Sequence, residues 1–144
     1  MNKGIIAEAS VVINAPTAKV WDALKNPVMI KQYLFGSDVV SDWKEGSPIV
    51  WKGEWEGKHY EDKGQILQVE PGSILQFSHY SPLTGKPDVP ENYHTITYKL
   101  ANDGEYTHVV LTQDNNANEK EMQHSKTMWQ TMLEGLKKVV ERKD

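Results

Sequence analysis

The chain has no cysteine, which excludes a disulfide framework and thiol chemistry. At 144 residues it needs no such help, because a chain of this length buries roughly two thirds of its unfolded surface in one core. No apolar run approaches the length of a membrane span. The start, Met1-Asn2-Lys3, lacks the apolar stretch of a signal peptide, so a cytoplasmic location is expected. Basic charge is not in surplus: 16 Lys and Arg against 20 Asp and Glu leave a net charge of −4, which argues against a nucleic-acid surface. Lys137, Lys138, Arg142 and Lys143 gather only at the end of the last helical pattern, where cations offset the helix dipole. Ser10, Ser37, Ser41 and Ser125 lack a nucleophile-elbow context, no glycine-rich phosphate loop is present, and no internal repeat occurs. One domain over residues 1–144 is expected.

What is present is a strand-rich pattern closed by one long helix. Ile5 to Ile13 alternates, with Ala9, Val11 and Ile13 on one face. Pro16 ends it and opens a short helix through Val20, Trp21 and Leu24. Asn26-Pro27 repeats the signal and opens a second helix, which Gly36 stops. Strands follow near Val39 and over Ile49 to Trp55, Tyr60 to Val69, Ile74 to Tyr80, Tyr93 to Leu100 and Tyr106 to Gln113. Short breaks at Glu45-Gly46, Gly57-Lys58, Pro71-Gly72 and Asp103-Gly104 imply antiparallel hairpins. Ser81 to Glu91, with three prolines, reads as a semi-rigid rim loop. Asn115 and Asn116 read as a final loop, and Asn118 with Glu121 starts a helix running to about Arg142. Its stripe of Met122, Ser125, Met128, Trp129, Met132, Leu133, Leu136 and Val140 must be buried on the concave face of the sheet.

Antiparallel partners keep a constant sum of residue numbers, so each turn predicts a register. The first hairpin pairs Trp55 with Tyr60, Gly53 with Asp62, Trp51 with Gly64 and Ile49 with Ile66. The next, with a bulge near Pro71, places Asp62 beside His79, Gly64 beside Phe77 and Ile66 beside Leu75. Across the rim loop His79 meets His94, Phe77 meets Ile96 and Leu75 meets Tyr98. The last hairpin pairs His94 with Gln113, Ile96 with Leu111 and Tyr98 with Val109. One inner face thus carries apolar rows bordered by a polar row: Gly53, Asp62, His79, His94, Gln113.

Buried carboxylate and imidazole are costly unless bonded, so Asp62, His79 and His94 should bond one another or a ligand. The row reads as a satisfied internal network or wet margin of the sheet, or as a ligand-orienting set in which His79 or His94 donates to a carbonyl or hydroxyl. General acid–base catalysis is a further reading, and metal binding by two His and one carboxylate a remote one without a compact ligand motif. Trp51, Trp55, Trp129, Met128 and Met132 read as core or as cavity walls. Glu54, Glu56, Lys52 and Lys58 read as solvated strand charges, and His59, His108 and His124 as lying away from any chemistry.

Ile13-Asn14-Ala15-Pro16 followed by Val20-Trp21 and Leu24, Gly64-Gln65-Ile66 leading to Val69-Glu70-Pro71 and Leu75, and Trp129 with Leu133, Leu136 and Lys137 together carry a resemblance. The chain resembles the helix-grip fold of the START and birch-pollen-allergen-like superfamily, and within it the homologues of the C-terminal domain of the activator of heat-shock protein 90 ATPase. The resemblance implies an α+β fold with about seven antiparallel strands curved around a long C-terminal helix, two short helices after the first strand, and a cavity between. Relatives in the superfamily bind lipids, hormones or polyketides, and some are cyclases or hydratases. His79 stands where many relatives carry an aromatic residue, and the loop from Ser81 to Glu91 looks like an elaboration of a subfamily.

The leading expectation is a binding protein for a small apolar molecule, lipid-, polyketide- or aromatic-like. Trp51, Phe77, Tyr98, Met128, Trp129 and Met132 form its walls, and Asp62, His79, His94 and Gln113 its polar border. The alternatives are a cyclase or hydratase using Asp62, His79 and His94, and a chaperone-interacting module. No cofactor and no metal is expected, and the chain is expected to be a monomer or weak dimer.

Overall fold

The computed structural model describes residues 4–142, apart from the side chain of Trp55. Lys143 of the basic cluster and Met1 to Lys3 lie outside these residues. Strand β1 (Ile5–Ile13) leads into helices α1 (Thr17–Lys25) and α2 (Pro27–Tyr33). Six strands follow, β2 (Asp38–Val40), β3 (Pro48–Trp55), β4 (Lys58–Glu70), β5 (Ile74–His79), β6 (His94–Asp103) and β7 (Tyr106–Asn116), and then helix α3 (Glu119–Glu141). The sheet has seven antiparallel strands in the order β1-β7-β6-β5-β4-β3-β2.

The caps explain the breaks. Asn26 Oδ1 accepts from the amides of Val28 and Met29 at the start of α2, and Asn118 Oδ1 accepts from Glu121 N at 2.8 Å at the start of α3. Asn115 and Asn116 do not form a loop: β7 continues through them. Asn116 pairs with Ile5, and its side chain donates to the carbonyls of Ile5 and Gln113.

Three hairpins differ in register from what their turn residues predict. β3 pairs Trp55 with Lys58, Gly53 with Tyr60 and Trp51 with Asp62, because the loop is only Glu56-Gly57. Both residues have positive φ, at 50° and 79°, the geometry that matches strand twist in a two-residue turn. β4 and β5 pair Ile66 with Phe77, and the bulge falls at Leu67 rather than near Pro71. β6 and β7 turn at Gly104-Glu105, placing Gln113 opposite Ile96 and Leu111 opposite Tyr98. Each shift on the inner face is by two residues, so the side chains keep the face that alternation assigns them. The pairing of β5 with β6 matches His79 with His94, Phe77 with Ile96 and Leu75 with Tyr98.

Helix α3 buries Ser125, Trp129, Met132, Leu133, Leu136 and Val140. It packs chiefly along β1 and also meets α2, where Gly135 lies under Tyr33. The opposite half of the curved sheet, β3 to β5, is therefore not filled by the helix. The rim loop is braced from the sheet: Tyr80 stacks on Tyr93 at 5.3 Å, Tyr93 donates to Asp88 at 2.6 Å, and Lys63 pairs with Asp88. The Lys63 ammonium, and then the Tyr93 hydroxyl, hold the Asp88 carboxyl below its usual range.

Candidate functional site

A cavity of about 240 Å³ occupies the space that α3 leaves over β3 to β6. Trp51, Phe77, Tyr98, Met128 and Trp129 line it as walls, and Asp62, His79, His94 and Gln113 line it as polar groups. Met132 does not line it. That side chain is fully buried one turn further along α3, in contact with the Tyr98 hydroxyl, and belongs to the core. His124, by contrast, lines the cavity from the exposed start of α3, because Ser125 and Met128 turn that edge of the helix toward the opening.

The polar groups form two linked sets. His79 Nε2 lies 3.0 Å from Asp62 Oδ2, with side chains 24% and 15% exposed. A carboxylate only accepts, so this nitrogen carries the proton. Trp51 meets the His79 ring edge-on at 4.9 Å and the Phe77 ring at 5.3 Å, so the indole lies between the two and packs one side of the imidazole. Asp62 Oδ1 is buried and has no hydrogen-bond partner among the described residues.

The second set ties α3 to the sheet. The Trp129 indole donates to Gln113 Oε1, which turns the Gln113 amide nitrogen toward Ser125 Oγ and the His94 ring. Ser125 donates to Asn116 Oδ1 at 3.0 Å. His94 Nδ1 sits 2.8 Å from the backbone carbonyl of Asp114 and 3.2 Å from Gln113 Nε2. The carbonyl can only accept, so Nδ1 carries the proton and the Gln113 contact is not a hydrogen bond. One N–H of each imidazole is thus held within the protein, that of His79 by the Asp62 carboxylate and that of His94 by the Asp114 carbonyl.

The other wall comes from α1, α2, β2 and the turns beside them. Leu24, Ile30, Tyr33, Leu34, Val39 and Trp43 line it, with Ser37 and Tyr60 joined hydroxyl to hydroxyl at 2.6 Å. Phe35, 57% exposed, stands at the opening. Sequence reasoning missed this wall, since helix faces cannot be set against a sheet by counting pairs. A signal was nevertheless present: Leu34-Phe35 before Gly36 places large apolar groups at a helix end. Phe35 and Trp43 adopt φ of 53° and 63°, uncommon for bulky residues and a form of strain that clusters at binding sites.

Burial, followed by the nearby Tyr98, pushes the Tyr33 phenol well above its ordinary range, and burial does the same to Tyr98. Both phenols thus stay protonated, as neutral hydrogen-bonding groups. Among the described residues no three His, Asp or Glu side chains are grouped to hold a metal ion, so Asp62, His79 and His94 do not form a ligand set. No described helix is long and apolar enough to cross a membrane.

The fold recurs in solved structures. The solution structure of ChR145 from Cytophaga hutchinsonii shares 63% identity over 98% of this chain and 97% of that one, with a TM-score of 0.85. The Aha1 dimer from Colwellia psychrerythraea shares 21% over 95% and 96%, with a TM-score of 0.73. DynU16, a protein in the dynemicin biosynthetic locus, shares 18% over 94% of this chain and 47% of that one, with a TM-score of 0.78. No curated protein matches the sequence. The family profile described as Activator of Hsp90 ATPase homolog 1-like protein matches residues 14–141, and the chain belongs to that family.

Proposed function

We propose that the protein binds a small, largely apolar molecule between the sheet and the start of α3. The observation that carries this reading is the cavity itself, walled by Trp51, Phe77, Tyr98 and Trp129 with Asp62, His79 and His94 at its border. Its volume of about 240 Å³ lies just below the usual range for small-molecule sites, which favours a compact ligand of one or two rings. Binding would draw mainly on apolar burial, at about 25 cal/mol per Å² before the costs of association.

The test is titration with 6-propionyl-2-(dimethylamino)naphthalene, an uncharged two-ring probe whose fluorescence changes in apolar surroundings. One saturable site is expected, with affinity lowered by about tenfold in Trp129→Ala, which removes roughly 2 kcal/mol or less of ring contact. Met128→Ala, which leaves the link between Trp129 and Gln113 intact, should weaken binding less. Absence of saturable binding to the folded protein overturns the reading.

The 3.0 Å contact between His79 and Asp62 favours one second reading, a cyclase- or hydratase-type activity. An imidazole oriented by a carboxylate is suited to proton transfer, and DynU16 is linked by its locus to biosynthesis. Turnover lost in His79→Gln while probe binding persists would separate catalysis from binding alone.

A further inference from the structure

A buried acceptor at the edge of the cavity has no donor from the protein. Asp62 Oδ1 is buried without a partner. The His94 Nδ1 proton lies on the Asp114 carbonyl and the His79 Nε2 proton on Asp62 Oδ2, so neither of these N–H groups reaches Asp62 Oδ1. Three donors beside the cavity are engaged elsewhere: the Trp129 indole on Gln113, the Ser125 hydroxyl on Asn116 and the Tyr98 hydroxyl on Met132 Sδ. The Ser37 and Tyr60 hydroxyls share one bond, which leaves a single hydroxyl hydrogen between them.

Charge points the same way. No Lys or Arg lines the cavity among the described residues, whereas the Asp62 carboxylate does. A carboxylate or phosphate headgroup would meet that charge with no cation to offset it. A positive group would be attracted by the carboxylate and by aromatic faces such as Trp51, Trp43 and Tyr60. An ammonium also brings three N–H donors, where a hydroxyl brings one.

We propose that the ligand is a small aromatic or alicyclic molecule bearing a protonated amine, with Asp62 Oδ1 as its acceptor. This rests on the binding reading above and adds the headgroup to it. Acidic lipids and other anionic apolar molecules are then discriminated against, because the Asp62 carboxylate repels them and no Lys or Arg lines the cavity among the described residues.

The experiment is calorimetric titration of the full chain at neutral pH with four naphthalenes of matched body: 2-naphthylmethylamine, 2-naphthylmethanol, 2-naphthoate and 2-methylnaphthalene. The amine should bind about tenfold or more tightly than the alcohol, as a charge-assisted hydrogen bond predicts, and the naphthoate should be weakest. Asp62→Asn should abolish the amine's advantage and leave 2-methylnaphthalene unchanged. Should that variant not fold by thermal melting, the order on the unaltered protein decides. Naphthoate binding as tightly as the amine, an advantage surviving in folded Asp62→Asn, or four equal affinities, as when water alone satisfies Oδ1, overturns the proposal while the binding reading stands. No saturable binding by any of the four overturns both.

Discussion

At Gly64 an added Cβ would overlap the backbone carbonyl oxygen of Ser78 on the neighbouring strand. Backbone, unlike a flexible side chain, cannot swing aside. Gly64→Ala is therefore expected to cost about 1–3 kcal/mol in urea unfolding, the usual range for overpacking, and a cost near zero would show that β4 and β5 can separate locally. The residue also shows what counting reaches and what it does not. Alternation places Gly64, Asp62 and Trp51 on the inner face, but the close approach that demands glycine depends on the true partner across the strands. His79 and His94 are similar: their presence at the cavity follows from alternation, whereas the direction of their hydrogen bonds depends on the carboxylate and the carbonyl that reach them.

Among the elements, β1 is an edge strand whose open side is closed by α3. Gln130 accepts from Ser10 N at 3.3 Å and donates to Ser10 O at 2.8 Å, Lys137 donates to Val12 O at 3.1 Å, and Glu141 accepts from Asn14 N at 2.7 Å. Lys137 also pairs with Glu141, and Arg142 donates to Gln32 at 2.9 Å, so two members of the basic cluster have specific partners beyond any effect on the helix dipole. An uncovered edge strand is a template for pairing with another chain. Gln130→Leu removes two of these bonds and should cost about 1–3 kcal/mol in urea unfolding, with a concentration-dependent rise in mass by light scattering. Unchanged stability together with unchanged mass would show that the side-chain cover of β1 is dispensable.

Across the whole molecule, stability and site are divided along α3. Its second half, with Leu133, Leu136 and Val140 fully buried, closes the core, and its first half, with Ser125, Met128 and Trp129, borders the cavity. Leu136→Ala should thus cost about 2–5 kcal/mol in urea unfolding, with naphthalene affinity of the folded fraction retained, whereas Met128→Ala should show the reverse pattern. Equal effects of both variants on both measurements would mean that the helix acts as one unit. The succession of strands and helices along the chain, the hairpin neighbours, the closing helix and the side of the sheet that the paired strand residues face were determined by the sequence, because period, caps and turn residues are local, and a register error of two leaves the face unchanged. Only the tertiary structure decided the rest: which rows lie opposite, that Met132 is core while His124 and Phe35 reach the opening, and that Asp62 keeps one oxygen unpaired. Those outcomes depend on how far the sheet curves away from α3 and on which groups meet across it, and neither distance is written in any local pattern.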